Sequence, residues 1–198
     1  MTAIIDYKAG NLTSVKLAFD ALGETSLVTS DPAQILGADR VVFPGVGAAG
    51  SAMRNLREAR LEAAVREAAA AKPFLGICLG MQILFDRTEE DGGVDLLGII
   101  PGRVRKFPAG TGDKVPQIGW NDVSLRGGGA RAFMRDGDDF YFVHSYCADV
   151  GAHTVATAIY AGVEFTAAAR KDNIFAVQFH PEKSGRTGLA LLETFLKC

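Results

Sequence analysis

Cysteine is scarce in this sequence: 198 residues contain only Cys78, Cys147 and Cys198, widely separated and without a CxxC pair. The number is odd, and no histidine stands at metal-ligand spacing from any of them. We therefore expect neither a disulfide framework nor a zinc site. We expect no metal ion and no cofactor.

A large excess of charge of one sign is also missing. Lys and Arg total 21 against 23 for Asp and Glu, and no basic run forms the stripe that phosphate backbones require. The glycines of GTGD at 110–113 and of the RGGGA segment lie between predicted strands, so they supply turns and do not form a phosphate-binding loop. We expect no nucleic-acid partner.

Long apolar runs are absent as well. No stretch approaches the roughly 20 residues of a membrane span, and the start, MTAIIDYKAGN, lacks both the charged and the apolar regions of a signal peptide. These absences predict a cytoplasmic protein without a membrane segment. The 48% of hydrophobic residues is ample for a core, and the length fits a single domain over residues 1–198.

Short apolar strands alternate with helical patterns in the first half. The strands read AIID, SLVTS, RVVFPG and PFLGIC; one helix runs from Leu12 to Leu22 and ends at Gly23. An Ala-rich segment from 48 to 72 predicts a covering helix, broken near Ala59, since it lacks the sustained heptads of a coiled coil. Continuously apolar strands predict a parallel sheet with helices on both faces, which is a doubly wound α/β core.

After residue 97 the pattern changes to strands without long helices. The predicted strands are LLGIIPGRVRKF, KVPQIGWNDV, DDFYFVHSYCAD, HTVATAIYAG, VEFTAAARKD and NIFAVQFHPE, and a helix over 186–198 closes the chain. The second half is therefore expected to be mostly β-structure.

The segment PFLGICLGMQILF carries the strongest chemical signal. An apolar strand runs through Gly76, Cys78 and Gly80 directly into a helical pattern, as in a nucleophile elbow with Cys in place of Ser. The glycines relieve clashes at the sharp turn, and the helix N-terminus should stabilise a thiolate. The backbone N–H of Leu79 is then available to an oxyanion. The alternative, a small buried hydrophobic residue, is the commoner role of a lone cysteine.

His180 is the best candidate for a base among the three histidines. Pro181 holds it extended at the end of NIFAVQFH, and residues two apart in an extended chain face one side, so Glu182 is placed to orient the imidazole. Cys78, His180 and Glu182 then form a complete triad for amide hydrolysis. A solvated surface turn is the alternative reading of HPE alone.

The remaining histidines and cysteines give weaker signals. His144, in FYFVHSYCAD, is either a satisfied strand histidine or a residue that lines the site. His153 follows a turn and is expected at the surface. Cys147 and Cys198 have no elbow and no base nearby in sequence, so we interpret both as structural.

These motifs together resemble the class I, triad-type glutamine amidotransferases. That family combines an oxyanion-strand PG, a G-I-C-x-G-M-Q elbow and a late H-P-E, matched here by PGVG at 44–47, GICLGMQ and HPEKS. The resemblance implies a flavodoxin-like, open mixed and mainly parallel sheet. It also implies a glutaminase that releases ammonia from L-glutamine.

A finer resemblance extends over nearly the whole chain. DYKAGNL, FPGVGAAGSAM, KVPQIGWNDV and YFVHSY look like the glutaminase branch that serves imidazole glycerol phosphate synthases. This resemblance implies an oxyanion hole from the backbone of Gly45, Val46 and Leu79. It also implies a set of glutamine-binding residues: Gly47, Gln82, Glu90, His144, Ser145 and Tyr146. Glu89, next to Glu90, is the alternative carboxylate for the substrate ammonium.

The same resemblance implies a partner. In that branch the ammonia passes to a (βα)8-barrel cyclase, in a heterodimer that makes imidazole glycerol phosphate and aminoimidazole carboxamide ribotide for histidine biosynthesis. A chain of 198 residues is too short to contain such a barrel. By resemblance, the subunit junction contains Asn11, Trp120, Tyr141 and Lys183, although Trp120 and Tyr141 also suit a core.

Two other functions remain open from the sequence. A glutaminase of another amidotransferase branch would feed a different acceptor, although PGVG and HSY argue against it. A noncatalytic subunit that keeps the fold would have an unreactive thiol at Cys78.

Overall fold

The computed structural model describes residues 1–8, 11–110 and 112–198. Ala9 and Gly10, which belong to the DYKAGNL motif, and Thr111, which belongs to GTGD, lie outside the described residues. No helix in the described part of the chain is long and apolar enough to cross a membrane.

The described residues form fourteen strands and six α-helices. The strands are β1 Thr2–Ile5, β2 Ser26–Thr29, β3 Arg40–Gly45, β4 Phe74–Cys78, β5 Arg87–Thr88, β6 Val94–Asp95, β7 Arg103–Lys106, β8 Gln117–Asp122, β9 Ser124–Leu125, β10 Asp139–His144, β11 Tyr146–Ala148, β12 Thr154–Tyr160, β13 Val163–Lys171 and β14 Ile174–Val177. The helices are α1 Leu12–Ala21, α2 Pro32–Gly37, α3 Ala49–Glu58, α4 Glu62–Ala71, α5 Leu79–Ile83 and α6 Gly185–Phe195. Short 3-10 turns occupy Glu90–Gly92 and Pro181–Lys183.

One eight-stranded sheet organises the fold, in the order β2-β1-β3-β4-β14-β13-β12-β9. The first five strands pair in parallel, and the last three join antiparallel. Two smaller sheets, β10-β8 and β11-β7-β5-β6, pack beside it. The predicted open mixed, mainly parallel sheet is therefore confirmed.

Apolar side chains of the parallel strands alternate between two clusters. Ile4 of β1 shares one cluster with Phe19 of α1 and Leu192 of α6. Ile5, the next residue, shares the other cluster with Met53 of α3, to which α2 and α4 also contribute. Since successive strand side chains point to opposite faces, helices cover both faces of the sheet, as predicted.

The Ala-rich segment breaks where the sequence predicted. Helix α3 ends at Glu58 and α4 begins at Glu62. Arg60, between them, has a φ of +56°, which no continuing right-handed helix contains. Both halves nevertheless pack their apolar residues into the same cluster.

The predicted strand LLGIIPGRVRKF is wrong in its first part. Only Arg103–Lys106 is extended and paired. The preceding backbone instead donates N–H bonds from Leu97, Ile99 and Ile100 to the last carbonyls of α5 and its C-cap, and Gly98 takes a φ of +59°. The segment therefore caps a short helix, a role that its apolar composition does not reveal.

Strands β8 and β10 form a two-stranded antiparallel unit, here called the β8–β10 ribbon. Its register places Trp120 opposite Tyr141 and Ile118 opposite Val143. Ile118 and Trp120 are 63% and 58% exposed, whereas Phe140 and Phe142 on alternate positions are buried. One face of the ribbon thus packs on the core and the other presents large apolar side chains to solvent.

Candidate active site

Strand β4 turns directly into helix α5 at Cys78. The cysteine is the last strand residue and the N-cap of the helix, with φ 54° and ψ −112°. A non-glycine residue in this region of backbone space is strained, and such strain concentrates at functional sites. The predicted elbow is therefore present in the backbone.

Three glycines let neighbouring segments approach the elbow. A Cβ added at Gly80 would overlap the carbonyl oxygen of Phe43 in β3, and one at Gly45 would overlap the hydroxyl of Tyr7. A Cβ at Gly76 would crowd Ala176 of β14. The predicted need for glycines on either side of the cysteine is confirmed, and Gly45 extends it to the oxyanion strand.

Cys78 is 5% exposed, and its thiol has specific polar neighbours. Its Sγ lies 3.8 Å from the backbone oxygen of Val143, which accepts the S–H bond. The side-chain Nε2 of Gln178 donates to the same sulfur at 3.7 Å. Val143 therefore favours the protonated thiol, and Gln178 favours the thiolate.

His180 and Glu182 form a buried pair beside this thiol. Nδ1 of His180 lies 2.8 Å from Oε1 of Glu182, with the two side chains 4% and 2% exposed. His180 is extended, with φ −103° and ψ 94°, as Pro181 predicted, and the Pro181–Lys183 turn brings the carboxylate back. Since Glu182 occupies Nδ1, Nε2 is the nitrogen that remains for Cys78.

The pKa of His180 is raised above its ordinary 6.5. Burial alone lowers this pKa, but the hydrogen bonds that the imidazolium donates to Cys78 and Glu182, and the negative charge of both groups, together outweigh burial. Oε2 of Glu182 is buried without a hydrogen-bond partner among the described residues, so the imidazolium is the group that balances the carboxylate. The arrangement favours a charged imidazole next to the sulfur.

A cavity of about 260 Å³ opens at Cys78. It collects eleven predicted site residues and two that were not predicted. The lining residues are Val46, Gly47, Cys78, Leu79, Gln82, Glu90, Pro116, Val143, His144, Ser145, Tyr146, His180 and Lys183. Gly45 pairs with Cys78 in the adjoining strand, and Glu182 lies behind His180.

Glu90, and not Glu89, faces this cavity. Its Oε2 accepts a 2.7 Å hydrogen bond from the backbone N–H of Ala49, the first residue of α3. Burial raises the pKa of Glu90, an effect that the Ala49 bond opposes and the Asp91 charge reinforces. Glu89 instead accepts from the backbone of Lys106 and lines a different depression.

Gln82 is buried and already uses both of its amide protons. Its Nε2 donates to the backbone oxygen of Tyr146 and to Oε1 of Gln178, each at 2.8 Å. The side chain therefore ties the β11 wall of the cavity to the segment that leads to His180. Only its carbonyl oxygen is left to accept a hydrogen bond.

His144 contributes to the cavity wall while its ring packs inside the protein. Nδ1 lies 2.8 Å from the Tyr146 carbonyl, so Nδ1 is protonated and donates. The ring contacts Phe107 and Phe165 at centroid distances of 5.1 and 5.2 Å, and Nε2 is buried without a partner among the described residues. Burial lowers the pKa of His144 to about 4, so this imidazole is neutral at neutral pH.

Of the predicted junction residues, Trp120 and Tyr141 lie on the ribbon, Lys183 lines the cavity, and Asn11 lies at the start of α1. Trp120 is exposed and meets Tyr141 edge to face at 6.1 Å, so the alternative of a core tryptophan is wrong. Lys183 lines the cavity and is exposed. Asn11 caps α1 by accepting from the N–H of Ser14, which accounts for it locally.

The other cysteines and His153 have no place in this site. Cys147 is buried, and burial raises the pKa of its thiol to about 12. Cys198 is exposed at the end of the chain, and His153 is half-buried. No cluster of three or more metal-ligating side chains occurs in the ranges that the structure covers.

Sequence reasoning missed Gln178, Val143 and Pro116. Gln178 stands two residues before His180, so the alternation used to place Glu182 also points Gln178 toward the thiol. Val143 acts through a backbone oxygen, and Pro116 forms part of a loop wall. No residue-type signal marks either of them.

A model of the family described as glutamine amidotransferase class-I matches residues 3–198. Two solved structures share the fold at 18% identity. One is titled a glutamine amidotransferase and has a TM-score of 0.75, covering 98% of this chain and 97% of that one. The other is PurLQS from Thermotoga maritima, with a TM-score of 0.72 and coverage of 99% and 97%. The chain therefore belongs to the class-I glutamine amidotransferase family.

Curated relatives place it more finely. Over 205 residues, the chain is 48% identical to the imidazole glycerol phosphate synthase subunit HisH of Dechloromonas aromatica, with 98% of this chain and 95% of that protein covered. Identity to HisH of Methanothermobacter thermautotrophicus is 47%, with coverage of 100% and 98%. Within the family, this chain is a member of the HisH group of glutamine amidotransferase subunits. The predicted branch is thereby confirmed.

Proposed function

We propose that this chain, as one domain over residues 1–198, hydrolyses L-glutamine to glutamate and ammonia through Cys78, His180 and Glu182. The observation that carries the proposal is a strained cysteine at a helix N-terminus, beside a histidine that is itself hydrogen-bonded to a buried carboxylate. Cys78 and His180 both line one cavity, and Glu182 lies directly behind His180. This set supplies the nucleophile, the proton carrier and the group that orients it.

The reaction follows from these roles. The thiolate of Cys78 attacks the side-chain amide carbon of glutamine, and a tetrahedral oxyanion forms. The His180 imidazolium donates its proton to the nitrogen, the C–N bond breaks, and ammonia leaves a thioester. Neutral His180 then takes a proton from water as the water attacks the thioester. Collapse releases glutamate and restores the thiolate and the imidazolium.

Backbone groups near the elbow are suited to the oxyanion. The N–H of Leu79 begins helix α5. Gly45 ends the strand that pairs with β4, opposite Cys78, and Val46 follows it. Gly47, with φ +95°, continues this wall of the cavity. We assign the oxyanion hole to these segments.

The far end of the cavity is suited to the amino-acid end of glutamine. Glu90 presents a half-buried carboxylate that matches the substrate ammonium, and the carbonyl oxygen of Gln82 is a second acceptor. The His144, Ser145 and Tyr146 segment supplies backbone groups along the opposite wall. Pairing with an ammonium would offset the cost of burying Glu90.

The ammonia is proposed to pass to a (βα)8-barrel cyclase subunit in a cytoplasmic heterodimer. The relatives are named as subunits of imidazole glycerol phosphate synthase, and the exposed apolar face of the β8–β10 ribbon is a surface suited to a partner. The acceptor would be the nucleotide that yields imidazole glycerol phosphate and aminoimidazole carboxamide ribotide in histidine biosynthesis. Trp120, Tyr141, Lys183 and Asn11 are the proposed contact residues.

Hydrogen bonds connect that ribbon to the base. The Tyr141 carbonyl accepts from the N–H of His180 at 2.9 Å, and the Tyr141 N–H donates to Oγ of Ser184 at 3.0 Å. Ser184 in turn donates to the His180 carbonyl at 2.7 Å. A partner that shifts the ribbon would therefore move the backbone of His180, which provides a physical route for partner-dependent activity.

The test compares two nitrogen sources in the complex of this chain with a cyclase subunit. Cys78→Ala should abolish synthesis from glutamine and leave synthesis from free ammonia intact, because the cyclase itself is unchanged. Glutamine-dependent synthesis that persists in the variant would overturn the proposal. Loss of both activities, with the complex intact by size-exclusion chromatography, would also contradict a role limited to supplying ammonia.

A further inference from the structure

Gln178 is a fully buried polar residue, 0% exposed, that touches the nucleophile without lining the cavity. Its amide Nε2 lies 3.7 Å from Sγ of Cys78. A buried amide needs partners for its polar atoms, because leaving them unpaired is costly. The sulfur is one of those partners, so the contact is part of how this amide is accommodated.

The backbone fixes where Gln178 points. Its N–H donates to the carbonyl of Ala167 at 2.9 Å, just past the end of β14. The next residue, Phe179, turns the other way and stacks on Phe140 at 3.9 Å. Gln178 and His180 therefore flank a core aromatic and both face Cys78.

Hydrogen bonding also fixes which end of the amide faces the sulfur. Nε2 of Gln82 donates to the Tyr146 carbonyl and to Oε1 of Gln178. A flipped Gln178 amide would set its NH2 group against the NH2 group of Gln82, where no hydrogen bond is possible. The Tyr146 carbonyl thus orients Gln82, which orients Gln178, whose N–H is then directed at Sγ.

We propose that Gln178 is a positioning residue that donates an N–H bond to the Cys78 thiolate and holds it between its own amide and His180. The proposal deepens the glutaminase function proposed above and rests on it. Gln178 opposes the Val143 carbonyl, which accepts the S–H bond of the protonated thiol. The balance between these two groups sets how readily the thiolate forms.

The expected effect is that of one charge-assisted hydrogen bond in a buried site. Loss of the donor should move the pH midpoint for reaction of Cys78 with iodoacetamide upward by about 1 to 2 units. Gln178→Glu is the matched change, because its carboxylate still accepts from Gln82 but no longer donates to sulfur. Gln178→Met removes the amide without adding charge, so its midpoint should lie between those of the wild type and Gln178→Glu.

The experiment measures alkylation of the whole chain against pH, with peptide mass spectrometry to separate the cysteines. The exposed Cys198 is an internal reference whose midpoint should stay fixed. A Cys78 midpoint within about 0.3 units of wild type in both variants would overturn the proposal, the threshold being far below the expected shift.

If the variants do not fold, the unmutated chain labelled with 15N in glutamine side chains provides the test. The Gln178 NH2 resonances must follow the Cys78 titration, and resonances that ignore it overturn the proposal.

Kinetics in the complex with a cyclase subunit supply a second readout. Because Gln178 does not line the cavity, KM for glutamine should change less than about twofold, while kcat falls about 10- to 100-fold. An unchanged kcat, or a loss confined to KM, would overturn the role. The alkylation result does not depend on glutamine, so it separates failure of this proposal from failure of the glutaminase function.

Discussion

The two halves of the candidate site are supported in different ways. The nucleophile side, made of β3, β4 and α5, lies inside the parallel sheet, where residues 45 and 80 have no space for a side chain. The base side, made of the end of β14 and the Pro181–Lys183 turn, depends on hydrogen bonds to the β8–β10 ribbon. The outer face of that ribbon is apolar and exposed.

This difference separates a rigid nucleophile side from a base side whose geometry can adjust. The cysteine is held by close backbone packing that cannot shift without disturbing the core. The histidine is held by a few hydrogen bonds to a two-stranded unit that is covered on one face only. A partner on the ribbon would therefore act on the base, on the cavity wall and on the Val143 carbonyl that meets the Cys78 thiol, while the backbone of the elbow stays fixed.

Glu182→Gln should give the largest effect, because it removes the charge that orients the His180 imidazole and favours its protonated form. We expect kcat in the complex to fall about 10³-fold, equivalent to about 4 kcal/mol of transition-state stabilisation. KM should change little, since Glu182 lies outside the cavity lining. A loss smaller than about tenfold would contradict the assigned role.

The same variant has a signed pH effect on folding. The folded-state pKa of His180 is raised, so its contribution to stability is fully present below about pH 6.5 and is lost as pH rises through the raised value. Glu182→Gln removes part of that contribution. Chemical denaturation should show a wild-type advantage near pH 6 that shrinks toward alkaline pH, and an advantage that grows with pH would refute the assignment.

Gly80→Ala tests the rigidity of the nucleophile side. The new Cβ would overlap the Phe43 carbonyl, so we expect a loss of about 2 to 3 kcal/mol in the free energy of unfolding. Gly37→Ala is the matched control, because nothing lies within 4 Å of its Cβ position and its φ is not positive. Urea denaturation should leave that control within about 0.5 kcal/mol of wild type. Equal losses in both would argue against close packing at the elbow.

Trp120→Ala tests the ribbon as a partner surface. Because the side chain is 58% exposed, the isolated chain should keep its stability within about 0.5 kcal/mol. Affinity for the cyclase subunit, measured by titration calorimetry, should fall at least about tenfold. Ile159→Ala, an exposed apolar residue on β12 outside the ribbon, should change affinity less than about twofold. Unchanged binding after the tryptophan substitution would locate the interface elsewhere.

His144→Asn should have the smallest effect, a change in stability that is seen only at acidic pH. The pKa of His144 is lowered to about 4 from an unfolded value near 6.5, so wild type loses stability as pH falls through that window. Asparagine keeps a donor near the Nδ1 position but does not titrate. Between pH 6.5 and 5 the variant should avoid a loss on the order of 1 kcal/mol. Parallel stability curves for the two proteins would show that the pKa of His144 is the same in the folded and unfolded states, which would contradict the lowered value.

Local backbone rules made the nucleophile side predictable. Gly76 and Gly80 around Cys78 specify the elbow, and apolar strands specify a sheet covered on both faces. The HPE motif placed Glu182 against His180 because the distance involved is only two residues. Helix α2 carries start signals in Asp31 and Pro32 but was not recognised from the sequence.

The base side was less predictable because its support comes from distant parts of the chain. The bonds from Tyr141 to His180 and Ser184 span about 40 residues, and the orientation of the Gln178 amide depends on Gln82 and Tyr146 together. The residues 96–102 read as a strand because their use as a cap for α5 depends on tertiary contacts. None of these relations has a signature in local composition.

Glutamate release by this chain, alone and with a cyclase (βα)8-barrel subunit and its nucleotide substrate, tests the central claim most directly. If the nucleophile is fixed and the base side responds through the ribbon, glutaminase activity should be low alone, rise at least about 100-fold in the loaded complex, and vanish with Cys78→Ala. Equal activity with and without the partner, or activity that survives Cys78→Ala, would contradict the account.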